Sequence, residues 1–210
     1  NDAPTGAVTI SGTATQGQVL TSNTGSIADA DGLGAFSYQW LRNGGTIAGA
    51  TSGTYTLAQA DVGAQVSARV SYTDGFGTAE NVTSTATAAV ANINDAPTGS
   101  VTISGTATQG QILSANTATL ADSDGLGAFS YQWLREGITI AGATASTYTL
   151  LQADVTKHIS VRVSYTDGFG AAESVTSTAT GAIANVNDAP TGSVTITGTV
   201  ANLWLKEETI

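Results

Sequence analysis

The sequence predicts an all-β protein in which small β-sandwich domains follow one another end to end, and two observations predict this fold. The hexapeptide Asn-Asp-Ala-Pro-Thr-Gly begins at residues 1, 94 and 187, so a unit of 93 residues occurs twice and starts a third time. Such a period is too long for a solenoid repeat and fits one complete small domain. Within each copy, apolar residues alternate with Ser and Thr between Gly, Asn and Asp turn signals, as in strands.

The repeat therefore divides the chain into domains. The two full copies are identical at 70 of their 93 aligned positions. We expect one domain at 1–93, a second at 94–186, the start of a third repeat at 187–199 and a divergent tail at 200–210. An incomplete third copy cannot bury a core of its own. In the tail, Trp204 and Leu205 either belong to a terminal appendage or dock on the second repeat as a cap.

Each copy contains six predicted strands. In the first copy they are 8–11, 18–23, 36–40, 54–57, 66–72 and 80–91. The third predicted strand places Phe36, Tyr38 and Trp40 on one face, with Ser37 and Gln39 on the other. Six or seven short strands in a domain of this length indicate a β-sandwich.

A core tryptophan narrows the fold further. Trp40 is followed by Leu-Ala-Gln-Ala-Asp-Val-Gly at 57–63, just before the next long strand. This order resembles the immunoglobulin pattern of a core Trp and then Leu-x-x-x-Asp-x-Gly. The resemblance covers each full repeat and implies tandem immunoglobulin-like β-sandwich domains, with Trp40 and Trp133 in the cores. The chain has no Cys, and Gln65 or His158 replaces the usual corner Tyr, so these sandwiches fold without the usual disulfide.

Composition excludes several classes of function. The chain has 16 acidic against 6 basic residues and a net charge of -10, so nucleic acid and anionic membranes are unsuitable partners. With no Cys and one His, thiolate metal sites and His-dependent triads are excluded. No apolar run reaches the length of a membrane span, and residues 1–20 lack the basic and then apolar pattern expected of a signal peptide. We expect a monomer without enzymatic activity or membrane insertion.

The carboxylates concentrate in predicted loops. In the immunoglobulin-like order that the resemblance implies, the domain start, the loop after the second strand and the last hairpin share one end. Carboxylates gathered there repel one another unless a cation neutralises them, and Ca²⁺ tolerates irregular loop geometry. The simpler alternative is that they are solvated turn residues. The predicted Ca²⁺ ligands are Asp2, Asp29, Asp31, Asp74 and Glu80 in the first repeat, Asn94, Asp95, Asp122, Asp124, Asp167 and Glu173 in the second, and Asp188 in the third.

The linker carries a second resemblance. Residues 91–97, Ala-Asn-Ile-Asn-Asp-Ala-Pro, resemble the cadherin junction motif Asp-x-Asn-Asp-Asn-x-Pro, in which Ca²⁺ stiffens the joint. With Ser-Tyr-Gln-Trp-Leu-Arg and Ser-Tyr-Thr-Asp-Gly-Phe-Gly in both copies, the chain resembles the immunoglobulin-like or cadherin-like extender repeats of giant bacterial surface adhesins of the RTX group. The resemblance implies secretion to the bacterial cell surface and a role as a stalk in adhesion and biofilm, with Ca²⁺ at the joints. The partners it implies are neighbouring repeats of the same chain.

Two classes of function remain after these exclusions. The leading hypothesis is an extracellular spacer whose joints are made rigid by Ca²⁺. The alternative is a module that binds carbohydrate or protein through its loops, where Phe76 and Phe169 are the aromatics nearest the Asp cluster. Asp122 and Asp124 could serve as an acid and a base in glycoside cleavage, but turn residues or metal ligands are the simpler interpretation.

Overall fold

The computed structural model of the protein describes residues 1–198. The tail at 200–210, including the proposed cap residues Trp204 and Leu205, lies outside the described residues. In the first repeat the strands are β1 (Thr9–Ser11), β2 (Val19–Asn23), β3 (Ser37–Arg42), β4 (Gly45–Thr46), β5 (Thr54–Thr56), β6 (Val66–Thr73) and β7 (Ala79–Thr83). A short 3-10 helix, Gln59–Asp61, lies between β5 and β6.

The second repeat has the same elements in the same order. Its strands are β8 (Thr102–Ser104), β9 (Ile112–Asn116), β10 (Ser130–Arg135), β11 (Ile138–Thr139), β12 (Thr147–Thr149), β13 (Ile159–Thr166) and β14 (Ala172–Thr176). The corresponding 3-10 helix is Gln152–Asp154. No helix among residues 1–198 is long and apolar enough to cross a membrane.

Each repeat consists of two antiparallel sheets. In the first repeat a three-stranded sheet has the order β1-β2-β5 and a four-stranded sheet has the order β4-β3-β6-β7. The second repeat has the sheets β12-β9-β8 and β11-β10-β13-β14. One sheet supplies Leu20 and the other supplies Trp40, Val66 and Val70 to the same buried cluster. The predicted all-β fold of tandem immunoglobulin-like sandwiches is confirmed.

The tryptophans lie at the centre of the two cores. Trp40 is fully buried, and its ring stacks on Tyr55 with centroids 5.7 Å apart and planes at 29°. Its indole Nε1 donates to the carbonyl of Ser52 at 2.9 Å, which satisfies the one polar atom that burial would otherwise leave unpaired. Trp133 packs in the same way on Tyr148. The predicted core position of both tryptophans is confirmed.

A buried ion pair accounts for the Asp of the Leu-x-x-x-Asp-x-Gly segment. Asp61 is fully buried, and its Oδ1 accepts a bond from Arg42 Nε at 2.6 Å. Its Oδ2 accepts the Tyr55 hydroxyl and the Ala58 backbone amide, each at 2.8 Å. One carboxylate therefore caps the 3-10 helix and ties it to β3, and Asp154 does the same in the second repeat.

The last predicted strand is shorter than expected. The prediction of a strand over 80–91 is wrong, since β7 ends at Thr83. Beyond that point the hydroxyls of Ser84 and Thr87 accept the amides of Ala68 and Val66, so side chains replace part of the regular backbone ladder. The pairing then changes from antiparallel to parallel, and Val90 forms an isolated parallel bridge with Val62.

The third copy forms no strand within 187–198. Val194 and Ile196 are 95% and 96% exposed, whereas Val101, the equivalent of Val194 in the second repeat, is 2% exposed. The two side chains lack the partner strands that bury their counterparts, as expected of an incomplete copy.

Candidate functional site

Three segments of each repeat meet at one end of its sandwich. In the first repeat, the Asp2 amide donates to Asp31 Oδ2 at 2.7 Å, and the Gly75 amide donates to the Asp31 carbonyl at 2.9 Å. The Asn1 side chain donates to Glu80 Oε1 at 2.7 Å. We call Asn1, Asp2, Asp29, Asp31, Asp74 and Glu80 the first acidic pole. The second acidic pole consists of Asn94, Asp95, Asp122, Asp124, Asp167 and Glu173 and repeats these contacts.

A buried tyrosine, which is not among the predicted site residues, lies beneath each pole. The hydroxyl of Tyr72 donates to Asp29 Oδ2 at 2.6 Å, although Tyr72 is only 4% exposed. Burial, the bond to Asp29 and the charges of Glu80 and Asp74 raise the pKa of Tyr72 to about 12. Burial and the carboxylates of Asp122, Glu173 and Asp167 raise the pKa of Tyr165 in the same way. Three carboxylates therefore face one phenol in each repeat.

One aspartate of each pole carries an oxygen without a donor. Asp74 Oδ1 accepts the amides of Phe76 and Thr78 at 2.9 and 2.7 Å, and these bonds, the one from Thr78 above all, lower the pKa of Asp74. Its Oδ2 is buried and accepts no hydrogen bond from residues 1–198. Asp167 has the same arrangement, with Oδ1 bonded to two backbone amides and Oδ2 buried without a donor. Such an oxygen is costly unless something unseen satisfies it.

Two glutamines of the first repeat reach the second acidic pole. Gln16 Nε2 donates to Asp95 Oδ2 at 2.9 Å, and Gln59 Nε2 donates to Asp124 Oδ1 at 3.0 Å. The Ile93 amide donates back to Gln16 Oε1 at 3.2 Å, which folds the linker against the first repeat. The sequence reasoning missed both glutamines, because their role depends on the angle at which the repeats meet.

The joint also holds buried amide oxygens without donors. Among the described residues, Gln59 Oε1 and Asn92 Oδ1 are buried and accept no hydrogen bond. Gln59 is bonded to Asp124, and Asn92 lies two residues before the second acidic pole. These two oxygens belong to the joint, whereas Asp167 Oδ2 belongs to the second acidic pole itself, because its equivalent Asp74 Oδ2 is also unpaired at the first.

The predicted metal ligands are mostly engaged by other donors. Within residues 1–198 no group of three or more His, Asp or Glu side chains is arranged to hold a metal ion. Asp29 accepts hydrogen bonds from the Asp31 amide and the Tyr72 hydroxyl, and Asp31 Oδ2 accepts one from the Asp2 amide. Asp188 lies away from both poles and accepts a bond from Gln109 at 3.1 Å. Of the predicted ligands, only Asp74 and Asp167 carry buried carboxylate oxygens without a donor, and Ca²⁺ binding by the whole set stays a prediction.

The loop aromatics differ in exposure between the two poles. Phe76 at the first acidic pole is 82% exposed, and Phe169 at the second is 54% exposed. Asp124, which accepts the bond from Gln59, is only 4% exposed. The second acidic pole thus lies partly against the first repeat.

The fold and its poles define a class of protein, a tandem array of immunoglobulin-like β-sandwich repeats. Folds of this class are generally non-enzymatic. No protein-family model matches the sequence. No curated protein matches it either.

Among solved structures, the chain is similar to the fibronectin(III)-like modules of CbhA from Clostridium thermocellum, with 15% identity and a TM-score of 0.28. It is also similar to the tandem Ig repeats of Dlar, with 12% identity and a TM-score of 0.26. Each comparison covers 89% of this chain and 100% of the other. At these TM-scores the fold assignment depends on the sheets and cores described above.

Proposed function

We propose that the chain is a non-enzymatic spacer in which Ca²⁺ binds at the acidic poles and fixes the angle between neighbouring repeats. The observation that supports this function is the set of buried acceptor oxygens without donors, Asp167 Oδ2, Gln59 Oε1 and Asn92 Oδ1. An unpaired buried acceptor costs about 1–3 kcal/mol, and a bound cation would remove this cost.

The chemistry of these oxygens suits Ca²⁺. Carboxylate and amide oxygens from irregular loops are ligands that Ca²⁺ accepts, with six to eight in a flexible arrangement, whereas Mg²⁺ demands a near-ideal octahedron. Asp167 would contribute its free oxygen as a ligand, and Asp122, Asp124 and Glu173 would contribute negative charge nearby. When bound, the cation would supply positive charge that relieves repulsion among these carboxylates.

The protein's own residues prepare this site. Backbone amides hold Asp167 Oδ1 in place, and the Tyr165 hydroxyl holds Asp122 Oδ2 at 2.5 Å. Gln16 and Gln59 bring the first repeat against the second acidic pole, so ligands from both sides of the joint could share one ion. A joint bridged in this way resists bending, and copies in series extend reach in proportion to their number.

This function is the one that the resemblance to extender repeats implies. We infer that the parent protein is a surface adhesin of the RTX group, secreted to the bacterial cell surface, in which the repeats hold an adhesive region away from the cell. The chain is then a monomer whose partners are its own neighbouring repeats. The same reasoning leaves nucleic acid and membrane lipid without a role.

A binding module remains the alternative class. Exposed Phe76 beside the first acidic pole is the feature that favours it, because aromatic rings beside carboxylates suit sugar recognition. At the second acidic pole the equivalent Phe169 is 54% exposed, and Asp124 of that pole accepts a bond from Gln59 of the first repeat, which favours the spacer. Binding of the chain to a glycan array would favour the module.

Thermal unfolding tests the cation. Saturating Ca²⁺ should raise the melting temperature above its value in chelator, because a ligand of the folded state stabilises it by about 2.7 kcal/mol at a hundred times its dissociation constant. Asp167→Asn should abolish the part of this shift that arises from the second repeat. The variant keeps Oδ1 as acceptor for the loop amides and replaces the free oxygen with an amide group.

Glu136→Gln is the matched control, since it removes one negative charge from an exposed turn between β10 and β11. This control should keep the full shift with Ca²⁺. Equal melting temperatures in Ca²⁺ and chelator for the unmodified protein would reject the proposed cation.

A further inference from the structure

The two acidic poles are the same surface in different surroundings. The Asp2 amide donates to Asp31 Oδ2 at 2.7 Å in the first pole, and the Asp95 amide donates to Asp124 Oδ2 at 2.7 Å in the second. The hydrogen bonds from the Asn1 side chain to Glu80 and from the Asn94 side chain to Glu173 are also equal in length, at 2.7 Å. Apart from the terminal ammonium of Asn1, which lies 4.0 Å from Asp31 Oδ2, the first acidic pole therefore has the shape and charge of the surface to which a repeat binds at the second.

The docked partner at the second pole presents two glutamines. Gln16 and Gln59 donate to Asp95 and Asp124, whose equivalents at the first pole are Asp2 and Asp31. Gln109, the equivalent of Gln16, makes the same kind of contact one period later, to Asp188 at 3.1 Å. The Val186 amide donates to Gln109 Oε1, just as the Ile93 amide donates to Gln16 Oε1. The Gln16 contact thus recurs with the repeat, whereas Gln152, the equivalent of Gln59, donates to Asn185 at 3.5 Å.

We propose that the first acidic pole is a docking surface for the C-terminal end of another copy of this repeat, held by the same two glutamine-to-aspartate bonds. Charge supports this partner, because Asp2 and Asp31 offer acceptors and the glutamine amides supply neutral donors that add no like-charge repulsion. Exposure supports it as well, since Asp31 is only partly buried, whereas its equivalent Asp124, which accepts the bond from Gln59, is 4% exposed.

The partner is a copy joined in the same chain. In the second repeat the glutamine needed for docking, Gln109, already contacts Asp188 of the segment that follows it. A separate molecule would have to displace that contact, whereas a copy joined ahead of Asn1 through the native linker is held at high effective concentration. The proposed contact uses hydrogen bonds alone, so it does not depend on the Ca²⁺ of the proposed function.

Hydrogen exchange in chelator tests this docking. A further copy of residues 1–93 is fused ahead of Asn1, so that its last residue precedes Asn1 as Ile93 precedes Asn94. We expect the backbone amides of 29–34 and 73–78 of the original chain to exchange roughly threefold more slowly than without the added copy, because two hydrogen bonds now restrain those loops.

The matched control carries Gln16→Ala and Gln59→Ala in the added copy only, with the linker unchanged. Slowed exchange should disappear in this control, and an unchanged melting transition of the added copy shows that it is folded. Two results would overturn the proposal: equal exchange with and without the added copy, or equal slowing with the glutamine-free copy. Because chelator is present throughout, failure of the Ca²⁺ site would leave this test intact.

Discussion

Asp154→Ala should lower the free energy of unfolding of the second repeat by about 3–5 kcal/mol, because it breaks a buried ion pair and leaves three donors without their acceptor. Asp154 is fully buried and accepts bonds from Arg135 Nε at 2.6 Å, the Tyr148 hydroxyl at 2.9 Å and the Leu151 amide at 2.7 Å. The Arg135 side chain stays 30% exposed, so water recovers part of its charge, which argues for the lower part of the range.

Urea unfolding of the full chain, with hydrogen exchange to identify which repeat opens, measures this effect. The first repeat provides an internal reference, since Asp61 and Arg42 remain in place and its transition should not move. Glu136→Gln removes an exposed charge next to Arg135 but keeps Oε1 as the acceptor of the His158 amide, so it should alter the free energy of unfolding by no more than about 0.5 kcal/mol. A loss below about 1 kcal/mol for Asp154→Ala would show that the ion pair does not support the fold.

Trp133→Ala should cost about 3–5 kcal/mol in the same repeat through the cavity that it leaves. Trp133 is fully buried, stacks on Tyr148 with centroids 5.7 Å apart, and donates its indole proton to the Ala145 carbonyl at 2.9 Å. The change removes the largest side chain of the core and the partner of the Tyr148 ring, which also holds Asp154.

Trp133→Phe separates packing from hydrogen bonding. Phenylalanine keeps an aromatic ring on Tyr148 but lacks the donor for Ala145. Trp133→Phe should therefore lower the free energy of unfolding, but by less than Trp133→Ala does. Denaturant midpoints of the two variants, referred to the transition of the first repeat, give this order. A Trp133→Ala transition that is no lower than that of Trp133→Phe would contradict the cavity argument.

Much of the fold could be predicted from the sequence because its signals are local. Strand periodicity located β3 and β6, and the Trp40 position followed from the alternation of Phe36, Tyr38 and Trp40. The end of β7 could not be predicted in this way, because the hydroxyls of Ser84 and Thr87 compete with backbone pairing only once the chain has folded.

The candidate site was partly predictable for a different reason. The Asp positions, taken with the immunoglobulin-like order, indicated which loops would meet. Tyr72 and Gln16 left no such signal, since one is a strand residue with an ordinary alternating position and the other acts only across a joint. Near-identity of the two copies also hid them, because recent duplication preserves important and unimportant residues alike.

Small-angle X-ray scattering of the full chain, first in saturating Ca²⁺ and then in excess chelator, tests the central claim most directly. Ca²⁺ at the joint should give one narrow, extended distance distribution, and chelation should broaden it and change the maximum dimension, because the glutamine bonds alone leave the joint open part of the time. Asp167→Asn should give the broad distribution in both conditions. Superimposable scattering of the native protein with Ca²⁺ and with chelator would contradict a joint fixed by a cation.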